Sequence, residues 1–530
     1  MRYSLLLALF FFSSCTFENI RVPPVSIEVK TYEEITTHHT HKWSKKAHPV
    51  LGAAVIDVDN DGLYEVFVGG GKDQADVLLQ YQNNELVNII ETHPILSSLA
   101  TTYGVVAMDL DDNGFTDLIV ARDDGVHFYL NDQDSFTHKP LSTPMPADAT
   151  PLAVAVADIN KDGHFDLYIS LFVNVENFRS PVFNDPTHAK QNLMLLGDGN
   201  FNFTDVTTQT QTGGLQNTFF SSFTDLDNDN DLDLLLSQNT GEVEIYNNKG
   251  DLVFEKVPLQ SNYGFWMGIG LGDIDSDGDQ DVFFSNAGNS IPSFLVTGDL
   301  ADEQTKNFEW LLLENKDNFQ FEDATQKYEL TEYGFAWGAV FEDLNADGDL
   351  DLLVMENYIK WPVHKISKLP GKSFMQLGSG EDRGFYPVNG LGLDNKHFGI
   401  SSLIVDLNQD GFQDVVFINL DSSVRAFLNP NESDYIKIRV NDNLDFLGAK
   451  IVLETQSRKT HTKEMNTLSG LLTDHSNEVS FYFNELDGNV KYAKIKLLNG
   501  EEFKIVNPQI NTTHILNYDA DSKVFAHQSL

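Results

Sequence analysis

The segment DIDSDGDQD at residues 273–281 places carboxylates at positions 1, 3, 5 and 9 and Gly278 at position 6. Oxygen ligands at that spacing converge on one point, and the glycine permits the turn that carries position 9 back towards position 1. The pattern starts seven times, at Asp57, Asp109, Asp158, Asp225, Asp273, Asp343 and Asp406. Position 1 is always Asp, position 3 Asp or Asn, and position 9 Asp or Glu. Repetition of this regularity commits the chain to a modular fold with one acidic turn per module.

Seven ligand sets follow from the register. They are Asp57, Asp59, Asp61 and Glu65; Asp109, Asp111, Asn113 and Asp117; Asp158, Asn160, Asp162 and Asp166; Asp225, Asp227, Asp229 and Asp233; Asp273, Asp275, Asp277 and Asp281; Asp343, Asn345, Asp347 and Asp351; and Asp406, Asn408, Asp410 and Asp414. All-oxygen shells of this kind favour Ca2+ over zinc. Up to seven structural Ca2+ ions are expected. The ligand sets leave no open position beside a nucleophile, so a staple for a strand-to-strand turn is expected rather than catalysis. In the fourth set Asn230 stands where the others have Gly, and Asn tolerates the left-handed turn.

Between the loops the chain is strand-like. A small, apolar strand enters each loop (LGAAVI, YGVVAM, AVAVA) and a second leaves it (EVFVGG, DLIVAR, DLYISL). A third (VHFYLN, VEIYNN, EWLLLENK, VRAFLN) and often a fourth (NFNFTDVT, NFQFEDAT) follow, joined by Gly, Asn or Asp turns. Four short antiparallel strands per repeat predict an all-β, seven-bladed β-propeller over residues 26–430, with the cation loops in the strand 1–2 turns. KTYEEITTHHT, ahead of the first unit, matches the fourth strands and is expected to complete the last blade and close the ring. Three insertions follow second strands, at 172–190, 286–306 and 357–372. In a four-stranded meander they fall on the face opposite the cation loops, where long loops commonly carry binding. Arg179, Lys360, Trp361 and His364 are the candidate ligand contacts there. Aromatics near the start of each first strand are expected to pack between blades or line a channel mouth. Residues 431–530 lack the loop pattern and read as six or so alternating strands, a second all-β, sandwich-like domain.

At the N-terminus, Met1–Arg2, an apolar run to Phe12 and Ser13-Ser14-Cys15 read as an export signal of residues 1–15, too short to span a bilayer. The only cysteine follows small residues, as in a lipoprotein signal, so Cys15 is the expected lipidation site and residues 16–25 a tether. One cysteine allows no intrachain disulfide, leaving cross-linking to the cations. The formal charge of -44 argues against a nucleic-acid partner, and seven dications would bring it to about -30. His38, His39 and His41 form a small cluster with His48 nearby, expected to be a solvated edge, with a transition-metal site as the alternative. Lys249-Gly250-Asp251 is read as ordinary hairpin-turn chemistry.

The seven loops resemble FG-GAP/VCBS repeats, as in the integrin α-subunit propeller. NLMLLGDGNFNFTDVTTQTQTGG, and WLLLENKDNFQFEDATQKYEL followed by YGFAWGAVFEDLNADGDLDLLVMEN, are similar to bacterial ASPIC/UnbV-type and cartilage acidic protein-like sequences. Phe483–Leu486 and Leu497–Gly500 stand where that family carries its C-terminal signatures, the second keeping only the Gly. The resemblance implies a secreted or surface binding protein. The expected function is a calcium-stabilised, monomeric cell-envelope module, lipid-anchored at a bacterial outer membrane, that presents its loops to a protein or glycan ligand. The anchor is its only expected membrane contact. No nucleophile–base motif stands out, so no enzymatic activity is expected. The alternatives are a carbohydrate-active enzyme using the channel mouth and an envelope assembly factor.

Overall fold

The computed structural model describes residues 28–530 apart from 93–97, 134, 180–181, 289–297, 357–371, 379–382, 467, 484–487 and 521. Cys15, the signal and tether, Lys360, Trp361 and His364 lie outside the described residues. No described helix is long and apolar enough to cross a membrane.

The third repeat shows how a unit is built. Ala149–Ala157 pairs antiparallel with Asp166–Val173, which pairs with Leu193–Gly197, which pairs with Phe203–Asp205. Five sheets have this sequential four-strand order. The first and last repeats instead share a nine-stranded sheet. Glu33–Thr37 joins them, antiparallel to Arg425–Leu428 on one side and parallel to Glu85–Asn88 on the other. Every acidic loop is the turn between the first and second strands of its repeat. This all-β arrangement of repeated four-stranded sheets is compatible with a β-propeller.

First strands are rich in Gly and Ala because they crowd one another. A Cβ on Gly104 would lie 2.4 Å from the Leu152 carbonyl oxygen of the next repeat. Of the aromatics at their starts, Tyr103, Phe220, Trp266 and Trp337 are buried and pack between repeats, whereas Tyr263 and Phe398 are half-buried. His41 and His48 are buried as well, whereas His38 is exposed. The solvated-edge reading thus holds for His38 alone. Burial pulls His41 down to about 3, and its Nδ1 accepts the Asp421 backbone N–H at 3.1 Å.

Beyond residue 430 the chain forms two further four-stranded sheets. One holds Glu478–Phe483, Asp434–Val440, Thr512–Asp519 and Val524–Ser529, and the other Thr460–Glu464, Lys450–Thr455, Val490–Lys496 and Glu502–Val506. Ile436, Ile438 and Leu516 of the first meet Ile451, Leu453 and Ile495 of the second in one apolar core. Val524–Ser529 escaped the sequence reading because it is a mostly exposed edge strand with no apolar alternation.

Residues 468–476, between the strands Thr460–Glu464 and Glu478–Phe483, leave this unit and enter the middle of the repeats. Thr473–Asp474 pairs parallel with Ala53–Ala54 of the first repeat. The Ala107 N–H donates to Asp474 Oδ2 (2.7 Å) in the second, and Ser222 Oγ to the Leu468 carbonyl (2.9 Å) in the fourth. Gly470 bridges to Ile269 in the fifth, and the Leu471 N–H reaches Ser401 Oγ (3.1 Å) in the seventh. Gly268 has to be glycine, since a Cβ would meet the carbonyl oxygens of Gly470 at 2.5 Å and Trp337 at 2.6 Å. One strap therefore touches the first strands of five repeats. Leu471 is fully buried at its tip. Leu471→Ala is expected to cost about 2–5 kcal/mol in denaturant unfolding; a loss below about 1 kcal/mol would mean that the strap does not brace the ring.

Candidate metal centre

Each loop starts where a buried first strand ends, and its sixth residue turns the chain. Gly278 has φ +99° and Asn230 φ +70°, so Asn does supply the left-handed turn in the fourth loop. The N–H of the sixth residue donates to Oδ2 of position 1 in all seven loops, at 2.7 to 3.3 Å. These bonds fold the acidic side chains onto a common centre.

Position 9 has a second task. One of its oxygens accepts the N–H of position 2 in every loop, at 2.9 to 3.0 Å. In six loops the other oxygen accepts a backbone N–H of the third strand. Asn131, Gly197, Asn248, Asn315, Gln376 and Asn429 donate to Asp117, Asp166, Asp233, Asp281, Asp351 and Asp414, at 2.6 to 2.9 Å. In the first loop the longer Glu65 takes the Gln80 side-chain amide at 2.7 Å. Position 9 therefore ties three strands together. Third-strand side chains then reach the neighbouring loop. The side-chain amides of Asn131, Asn315 and Gln376 donate to the position 2 carbonyls of Val58, Leu226 and Ile274, each in the preceding repeat (2.7 to 2.8 Å). The sequence carried this signal as the Asn closing VHFYLN and EWLLLENK, which strand periodicity alone does not interpret.

Position 1 divides the loops into two groups. In the first, fourth and fifth loops, where positions 3 and 5 are both Asp, Oδ1 of Asp57, Asp225 and Asp273 is buried and has no hydrogen-bond partner. In the second, third, sixth and seventh, where position 3 or 5 is Asn, the position 5 N–H fills that oxygen at 3.0 to 3.1 Å. A buried, unpartnered carboxylate oxygen is costly unless a cation meets it. Ligand atoms of Asp57, Asp59 and Asp61 lie within 4.8 Å of one another, as do those of Asp109, Asp111 and Asp117, of Asp225, Asp227 and Asp229, and of Asp273, Asp275 and Asp281. That span fits an ion about 2.4 Å from each oxygen. These residues could hold a hard dication, which would tether the turn by its charge.

Electrostatics agree with that fit. Burial raises Asp57 and Asp109 to about 6, Asp273 to about 7, and Glu65 and Asp117 to about 8. Asp281 and Asp414 are likewise raised by burial. Groups held so far up are discharged most directly by a positive ion at their centre.

The C-terminal unit sits on this loop face, an arrangement local periodicity could not reveal. Lys437 pairs with Asp406 in the seventh loop. The Arg439 guanidinium donates to the Gly62 carbonyl in the first (3.0 Å) and stacks 4.8 Å over Tyr64. Lys450 donates to the Asp225 carbonyl in the fourth (3.2 Å), and Lys463 pairs with Glu342 beside the sixth (3.0 Å). A cavity of about 110 Å³ between loops and strap is lined by Asp273, Glu342, Lys463, Glu464 and His475. Burial raises Glu464 there to about 7.

The far face is assembled only in part. Insertions one and two bind each other, through the Phe183 N–H to Asp299 Oδ1 (2.6 Å) and Asn184 Nδ2 to Gln304 Oε1 (2.7 Å). Phe183, Phe265 and Phe308 pack in series beneath them. Arg179 is exposed, and its backbone N–H is held by His188 Nε2 at 2.6 Å. It is not brought together with any other candidate contact among the described residues. Lys249–Asp251 forms the expected hairpin turn, with Gly250 at φ +73°.

Comparison with known proteins bears on the repeats. A family model described as an FG-GAP-like repeat matches residues 57–120, 109–169 and 225–284. FG-GAP-like repeats are thus present over residues 57–169 and 225–284 of this all-β chain. No curated protein matches it. Solved structures similar to it include two crystal structures of BBS1N in complex with ARL6DN. The one soaked with mercury has a TM-score of 0.42 at 8% identity, and the one soaked with lead 0.40 at 9%. Each match covers 76% of this chain and 99% of the other.

Proposed function

We propose that this chain is a calcium-stapled, seven-bladed β-propeller of the ASPIC/UnbV type with a C-terminal β-sandwich. In this reading it is exported, lipid-anchored through Cys15 at a bacterial outer membrane, and binds a protein or glycan with the face opposite its loops. The observation that carries the calcium assignment is the buried, unpartnered Oδ1 of Asp57, Asp225 and Asp273, each at the centre of a carboxylate set spaced for a hard ion. The binding assignment rests on the division of the two faces. The C-terminal unit sits against the first, fourth and seventh loops, while the first two insertions leave second strands at the end away from the loops and brace each other. The strap through 468–476 fills the middle of the ring, which favours a binding module over a reaction inside a channel.

The test uses the full chain on a glycan array and against extracted envelope proteins, in calcium and in EDTA. Binding in calcium without substrate turnover supports the reading. Product formation, or binding that maps to the C-terminal unit, overturns it. Loss of fatty-acid labelling in Cys15→Ser supports the anchor, and retained labelling overturns it.

A further inference from the structure

The seventh loop differs from the others in what stands against it. Tyr435, Lys437 and Arg439 alternate along Asp434–Val440, so they share one face of that strand. This face is turned to the loop rim. The Tyr435 ring packs on Phe412 at 5.7 Å, where only a glycine at 411 leaves room for it. Arg439 reaches the first loop. Lys437, between them, is 2% exposed, and its ammonium pairs with Oδ2 of Asp406, the position 1 carboxylate of the seventh loop. Glu478 Oε1 lies 3.5 Å from the same ammonium, and Glu478 Oε2 accepts from Arg439 at 3.1 Å.

We infer that the seventh loop takes no divalent ion, because the ammonium of Lys437 occupies the cation's role there, and that this loop is the socket that seats the C-terminal unit on the rim. The inference rests on the calcium reading of the remaining loops. Two observations and one physical argument carry it. Oδ2 of Asp406 takes the Lys437 ammonium besides the Gly411 N–H at 2.8 Å, while its Oδ1 takes the Asp410 N–H at 3.1 Å as the equivalent oxygens of the second, third and sixth loops do. Asp57, Asp225 and Asp273 each keep one oxygen without a partner. A buried ammonium beside a bound dication would also be repelled with little water to screen the two charges. Proximity of a lysine is not enough by itself. Lys450 approaches the fourth loop from the side, its Nζ 3.9 Å from Asp225 Oδ2, and leaves Asp225 Oδ1 unfilled.

Bound calcium is counted by native mass spectrometry on the full chain, wild type against three variants. Asp277→Asn, in the fifth loop, is expected to lower the count by one. Asp410→Asn, the equivalent change in the seventh, is expected to leave it unchanged; both side chains are exposed, so both variants should fold. Lys437→Met is expected to gain one ion, and its calcium-induced rise in melting temperature to exceed that of the wild type. Loss of one ion in Asp410→Asn overturns the inference, as does a folded Lys437→Met that gains none. If Lys437→Met does not fold, the Asp410→Asn count decides. A wild type that binds no calcium at all is a different failure, removing the calcium reading and this inference with it.

Discussion

Chelation of calcium is expected to lower the melting temperature of the full chain by roughly 4 °C at pH 8. The size follows from linkage. Loops of this kind in exported proteins bind with Kd on the order of 10⁻⁴ to 10⁻³ M. At 1 mM calcium, a site at the tight end of that range stabilises the folded state by roughly 1.4 kcal/mol. The first, fourth and fifth loops, with three carboxylates at positions 1, 3 and 5 and an unfilled Oδ1, should contribute most, together about 4 kcal/mol. In a chain this long, each such increment moves the midpoint by a few degrees at most. The effect has a defined pH dependence. Asp57, Asp109, Asp273, Glu65 and Asp117 are raised by burial to between about 6 and about 8. Their folded forms hold protons that the unfolded chain has released above the ordinary carboxylate range. Without calcium, stability must therefore rise as pH falls from about 8 towards 5. With calcium, protons compete for the same oxygens, so the calcium increment must shrink over that window. Differential scanning calorimetry in calcium and in EDTA, at pH 8 and pH 5.5, checks both signs. Equal midpoints with and without calcium at pH 8 would remove the stapling role.

Asp281→Ala is expected to cost roughly 3–5 kcal/mol even in EDTA. The carboxylate is fully buried and accepts the N–H groups of Ile274 (2.9 Å) and Asn315 (2.8 Å). Truncation leaves two buried donors unpaired, each costing about 1–3 kcal/mol. Asp277→Asn in the same loop is the contrast. Its side chain is exposed, so in EDTA its effect should stay within about 0.5 kcal/mol, while in 1 mM calcium it should remove roughly 1.4 kcal/mol with the lost ion. Urea titrations of both variants in the two buffers separate the tasks of positions 5 and 9. If Asp281→Ala were neutral in EDTA, position 9 would be a ligand and no more.

The acidic turns, the strands around them and the change of character after residue 430 were all legible. Each is a local pattern, a fixed spacing of carboxylates or a period-two alternation of apolar residues. Position 9 was legible as an acid and illegible as a three-strand tie, because its partner Asn315 lies 34 residues away along the chain. The burial of His41 had no local signal either, since its partner Asp421 is 380 residues distant.

What the sequence alone determined is the repeating unit, since spacing and alternation act within a few residues and need no knowledge of neighbours. Only the tertiary structure decided what meets the acidic rim. Lys437 and Arg439 lie in DYIKIRV, whose alternation predicts a strand and nothing about its partners, and residues 468–476 fall between predicted strands. Lys437 became a buried counter-charge, Arg439 a half-buried one and the last a strap because two units of one chain close against each other, and the free energy of that contact resides in pairs far apart in sequence.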